Sequence, residues 1–150
     1  MSRLILTICI LLLAAPTWAH KPSDSYLTLN VNDNTVSGRW DIALRDLDFA
    51  LTLDANNDGV ITWGEVRFQK TPIERYVFSY LHLDVVQQTC NLQPGEMKVD
   101  KHSDGAYAVL LFTGRCSDAL RHAGLTVGYN LFASFDKQHR GLLSLIRNDT

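Results

Sequence analysis

At 150 residues, with 46% hydrophobic and 20% charged residues, the chain has the composition of one folded domain rather than a disordered or fibrous segment. Its formal net charge of −2 comes without a basic run or any interleaving of basic and aromatic residues, which excludes nucleic acid as a partner.

Met1 to Ala19 reads as a secretory signal peptide. Arg3 provides the positive start, Leu4 to Ala15 is apolar apart from Thr7, and Thr17-Trp18-Ala19 forms a small-x-small cleavage site. The apolar run is about twelve residues, short of the roughly twenty that a membrane span needs. Cleavage after Ala19 leaves residues 20–150 as one exported domain with no transmembrane helix of its own. Cys9 leaves with the leader, so Cys90 and Cys116 have one possible pairing, and an oxidising compartment favours a disulfide between them.

The first mature segment alternates with period two. Leu27, Leu29 and Val31 face one way and Thr28 and Asn30 the other, up to a turn at Asn32-Asp33-Asn34. Val36, Trp40, Ile42 and Leu44 then line one face of a second strand, opposite Arg39, Asp41 and Arg45. The two runs predict a hairpin, with Asp41 on its solvated side. A short helix follows over Asp46–Leu53, with Phe49 and Leu53 sharing a face.

Residues 54–65, DANNDGVITWGE, carry the strongest chemical signal. Asp54, Asn56 and Asp58 stand at loop positions one, three and five, Gly59 at six, Ile61 at eight, Thr62 at nine and Glu65 at twelve, which is the EF-hand calcium pattern. Calcium (Ca2+) takes six to eight oxygens, so oxygen-bearing side chains recur at alternate positions as the chain wraps the ion. The expected ligands are Asp54, Asn56, Asp58, the carbonyl of Val60, Thr62 (directly or through water) and both carboxylate oxygens of Glu65. Gly59 supplies the positive φ of the sharp turn, and Ile61 is expected to point away into apolar packing.

The outgoing helix starts near Thr62–Trp63, and Pro72 interrupts it, because proline lacks the intrahelical donor. Thr71 and Pro72 read as the cap and first residue of a new helix reaching about Tyr80, with Ile73, Tyr76, Val77 and Tyr80 on one face. Further strands are expected at Leu81–Val86, Met97–Lys101, Ala106–Thr113, Leu125–Ser134 and Leu142–Arg147, with a hairpin turn at Ser103-Asp104-Gly105. The fold class is therefore mainly β (α+β), an antiparallel β-sandwich-like domain with an inserted helix–EF-hand loop–helix unit.

HKPSDSYLTL at the mature start, GRWDIALRDLDFAL running into the calcium loop, HSDGAYAVL and the late QHRGLL together resemble the extracytoplasmic N-terminal domain of HupE/UreJ-like membrane proteins, named for hydrogenase and urease accessory functions. The resemblance covers most of the mature chain. It implies a periplasmic or secreted accessory domain and a membrane protein of the HupE/UreJ type as partner. In that family a bundle of transmembrane helices follows the exported domain. These 150 residues contain no such bundle, so transport is not carried over.

Some relatives are implicated in nickel handling, which makes His20 a candidate second metal ligand. After cleavage its α-amine and imidazole would both be available to nickel or copper. No HxH or HxxxH spacing joins it to His82, His102, His122 or His139. His139 beside Arg140 suits a turn or polar contact. Asp46 or Asp48 suits a helix cap, and Lys98, Asp100 and Lys101 a solvated strand face. With no GxSxG and no paired catalytic carboxylates, the chain is expected to be a binding domain and not an enzyme.

Overall fold

The computed structural model describes residues 23–147. The leader and His20 lie outside them. Of the described residues, 48% are in strands and 22% in helices, so the fold is mainly β with few helices.

Strands β1 (Asp24–Asn32) and β2 (Thr35–Ala43) form the expected hairpin, with Asn32 paired to Thr35. Asp33 takes a φ of 52° in the two-residue turn, a conformation that short acidic side chains tolerate. Helices α1 (Leu44–Leu51), α2 (Trp63–Phe68) and α3 (Lys70–Phe78) follow, then β3 (Leu81–Val85) and β4 (Gln88–Thr89). A long hairpin of β5 (Asn91–His102) and β6 (Gly105–Arg115) comes next, then a 3-10 turn at Asp118–Arg121, β7 (Thr126–Tyr129) and β8 (Arg140–Arg147).

The strands make two sheets, β5-β6-β2-β1-β8 and β4-β3-β7. Alternation decides which face of the large sheet is covered. Leu27, Leu29 and Val31 of β1, Val36, Trp40 and Ile42 of β2, and Leu110 and Phe112 of β6 are all buried in one cluster with Val66, Ile73, Val77, Leu81, Leu83 and Val85 from the helices and the small sheet. Trp40 is fully buried and meets the rings of Phe78 and Tyr129 edge-on, at centroid distances of 6.2 and 5.8 Å. Burying a side chain of this size contributes about 1.5–3 kcal/mol or more.

Several elements differ from the sequence reading. β8 runs parallel to β1, so the large sheet is mixed rather than purely antiparallel. β5 begins at Asn91 and passes Pro94 and Gly95 with a register irregularity between Pro94 and Met97, which lets an edge strand absorb a proline. β7 stops at Tyr129 because the chain turns over Asn130–Asp136, where Phe132 takes a φ of 61°. α1 starts two residues earlier than expected. It buries Leu44 and Leu47, while Phe49 is 74% exposed and Leu53 is buried beyond the helix end. The break before Pro72 is present, but it falls at Gln69: α3 starts at Lys70, so Pro72 lies in the first turn, where its missing N–H costs no helical bond.

Cys90 and Cys116 form the disulfide. They stand just outside the paired ends Asn91 and Arg115 and tie the open end of the β5–β6 hairpin. No helix among the described residues is long and apolar enough to cross a membrane.

Candidate functional site: the loop from Asp54 to Glu65

The loop joins α1 to α2 beside the β5–β6 turn. α1 ends when Thr52 turns left-handed (φ 55°) and donates its N–H to the Asp48 carbonyl at 2.7 Å. The Asp48 side chain then takes the N–H of Asp54 at 2.9 Å. The first loop position is thereby fixed to the incoming helix. The expectation that Asp46 or Asp48 caps the start of α1 is not met, since Ala43 precedes the helix without a side-chain cap.

Within the loop the carboxylates hold backbone donors. Asp54 accepts the N–H groups of Asp58 (3.2 Å) and Gly59 (2.8 Å), one through each oxygen. The Asp58 N–H also reaches Asn56 Oδ1 at 3.1 Å, so one donor gathers oxygens from positions one and three. Asp58 Oδ1 accepts the Val60 N–H at 2.8 Å. Gly59 adopts φ 81° with open space around it, and Asn57 adopts φ 56°. Ile61 turns inward and packs half-buried against the core cluster, as its position in the pattern suggested.

The outgoing end is a capping box. Thr62 Oγ1 accepts the Glu65 N–H, and Glu65 Oε2 accepts the Thr62 N–H at 2.8 Å. Glu65 Oε1 takes the Ala55 N–H at 3.1 Å. The Thr62 N–H and then its hydroxyl hold the Glu65 carboxyl below the usual range, so it is charged at neutral pH.

The donor set suits a hard cation. It consists of three carboxylates, an amide oxygen, a hydroxyl and a carbonyl, all exposed or nearly so on one short loop. The side chains that would ligate are oriented by backbone donors, the part that outer hydrogen bonds play around metal ligands. The three carboxylates themselves are not drawn to within 4.8 Å of one another.

Among the described residues the acidic and histidine group that does meet that distance is Asp41, Asp100 and His102. Arg39 occupies its centre. Its guanidinium is bidentate on Asp41 at 2.7 and 2.8 Å and reaches Asp100 at 2.9 Å, and His102 Nε2 lies 3.0 Å from Asp41. This is an ion-pair network in which Arg39 already engages both carboxylates. It also corrects the placement of Asp41, which is 4% exposed although it lies on the outer face of β2. His102 stacks on Tyr107 over that part of the sheet, and Tyr26 meets both rings at a tilt.

A second polar network lies at the start of β1. His139 bonds the Ser23 hydroxyl at 3.1 Å through Nδ1 and the Tyr129 hydroxyl at 2.6 Å through Nε2, and Tyr129 meets the Ser25 hydroxyl at 2.6 Å. Burial pushes the Tyr129 hydroxyl up to about 12. Both serines are buried, so neither is presented to a substrate. His139 makes the polar contacts expected of it.

No protein-family model matches this chain, and no curated protein matches it significantly.

Proposed function

We propose that residues Asp54–Glu65 bind one calcium ion, and that the chain is an exported accessory or interaction domain in which calcium is mainly structural. The observation that carries this reading is the bonding of Asp54. Its two oxygens accept the N–H groups of loop positions five and six while Gly59 makes the left-handed turn, so the chain already curves around its own oxygen donors. Calcium would be held by Asp54, Asn56, Asp58, the Val60 carbonyl, Thr62 and Glu65. It would supply the positive charge that relieves repulsion among the three carboxylates.

The single loop supports a stabilising role more than a sensing one, since sensors pair two such loops and open a Met-rich groove. Met97 is buried in the core and offers no such groove. The disulfide supports an oxidising compartment, periplasmic or secreted. The resemblance to the exported domain of HupE/UreJ-like proteins makes a membrane protein of that type the natural partner. The test is thermal unfolding of the disulfide-closed protein with and without calcium. A rise in melting temperature that is absent in Asp54→Ala and Glu65→Ala supports the reading. An identical response to calcium in wild type and both variants refutes it.

A further inference from the structure

Strand β8 is a poorly covered part of the fold. It is an outer strand of the large sheet, and among the described residues no strand pairs with its free side. All eight of its residues are exposed, including Leu142 (42%), Leu143 (48%), Leu145 (47%) and Ile146 (45%). Its ends are nonetheless well anchored. Arg140 makes a bidentate pair with Asp24 at 2.8 Å, and Arg147 donates to the carbonyls of Leu120 and Ala123. A long apolar edge without proline or lysine, its one core-side charge (Arg147) at the strand's end and bonded within the chain, is a template for another strand.

Register with β1 assigns the faces. Leu143 and Leu145 pair with the buried Leu27 and Leu29, so they extend the core face beyond its cover. Leu142 and Ile146 pair with Tyr26 and Asn30 on the opposite face. A two-fold axis normal to the sheet keeps each face on its own side, so residues opposed across it must share parity. The strand reads Arg140-Gly-Leu-Leu-Ser144-Leu-Ile-Arg147 and is nearly palindromic about Ser144. Centred there, an antiparallel self-pairing opposes Leu143 with Leu145 on the core side and Leu142 with Ile146 on the other, twice each. Gly141 lies opposite Arg147, and no like charges meet. Centring on Leu143 or Leu145 instead opposes Ser144 with an apolar residue and Gly141 or Arg147 with a leucine.

We propose that β8 pairs antiparallel with β8 of a second copy about Ser144, joining two large sheets into one across a two-fold axis. An edge-to-edge contact of this kind is at the small end of protein interfaces, so the dimer is concentration-dependent rather than obligate.

Sedimentation velocity over a range of concentrations, on the exported and disulfide-closed protein, tests this. The expected result is a monomer–dimer equilibrium whose dissociation constant rises about tenfold or more in Leu143→Lys and in Leu145→Lys. Both positions are half exposed in the monomer, so the melting temperature of the dilute protein should stay close to wild type. Opposed Cα atoms in an antiparallel pair are about 4.5–5.5 Å apart, within the roughly 4.4–6.8 Å that a disulfide spans. Ser144→Cys should therefore yield a covalent dimer on oxidation, and Ser37→Cys, exposed on an interior strand, should not. A monomer at every concentration overturns the proposal, as does a dimer unchanged by both lysine variants or equal cross-linking at positions 144 and 37.

Discussion

Glu65 Oε1 accepts the backbone N–H of Ala55 at 3.1 Å, so the last residue of the loop holds the second. Its other oxygen takes the N–H and the hydroxyl of Thr62, at 2.8 and 2.7 Å. One exposed carboxylate therefore closes the loop and caps α2, and the two roles separate by substitution. Thr62→Ala should lower the stability of the calcium-free protein by about 1 kcal/mol, the usual worth of an N-cap, and weaken the calcium response without removing it. Glu65→Gln should abolish most of that response. Denaturant melts of the two variants with and without calcium check this; equal calcium responses would contradict it.

Gly38 is a packing requirement of the large sheet. A Cβ there would lie 2.1 Å from Phe112 Cζ, on the ring that Phe78 meets edge-on at 5.3 Å. The ring cannot retreat without disturbing Phe78 and Trp40. Gly38→Ala should destabilise by about 1–3 kcal/mol, measured by urea denaturation. A neutral result would mean that the ring has room to move.

Removing the disulfide should act chiefly on the unfolded chain. Cys90 and Cys116 are separated by 26 positions, and a closed loop of that length contributes about 3.5 kcal/mol by the chain-entropy estimate. The double variant Cys90→Ser, Cys116→Ser should lose stability of that order and keep its far-ultraviolet circular dichroism. Because the bridge lies outside the last pair of the hairpin, the strands beyond it retain their register.

His139 gives the fold an acid-sensitive joint. Burial lowers its pKa, against the pull of Asp46, Asp136 and Asp24, and both ring nitrogens are already bonded. Protonation therefore favours the unfolded chain. The stability from a neutral His139 is fully present above about pH 6.5, the unfolded value, and declines as pH falls from there toward the lower folded pKa. Burial raises Asp46, partly offset by the nearby Ser23 hydroxyl, and its protonation acts in the opposite sense at lower pH. Melting temperatures from pH 7 to 5 should fall more in wild type than in His139→Gln. Parallel curves would place the acid sensitivity elsewhere.

Local patterns in the sequence held up where the structure is local. The alternation of Leu27, Leu29 and Val31, the turn at Asp33, the proline break and the inward Ile61 all depend on neighbours a few residues away. The loop residues stood out because the pattern proposed here to bind calcium has a fixed spacing. Asp48 was not recognised as the tether of Asp54, since nothing in its immediate surroundings separates a tether from a cap; its acidic side chain at the end of a short helix was the available signal. Parity alone places Asp41 in solvent. Its burial depends on His102 from β5 and on Arg39 held between two strands' carboxylates, contacts between residues 61 positions apart. The parallel pairing of β8 with β1 was hidden for the same reason, as periodicity marks a strand but not its neighbour.

The most direct test of the calcium reading is calorimetric titration of the exported, disulfide-closed protein with calcium, alongside Glu65→Ala. The expected result is one site, in the roughly 10⁻⁴–10⁻³ M range typical of extracellular modules, and no heat of binding in the variant. No calcium binding by the wild type, or binding undiminished by Glu65→Ala, would contradict it.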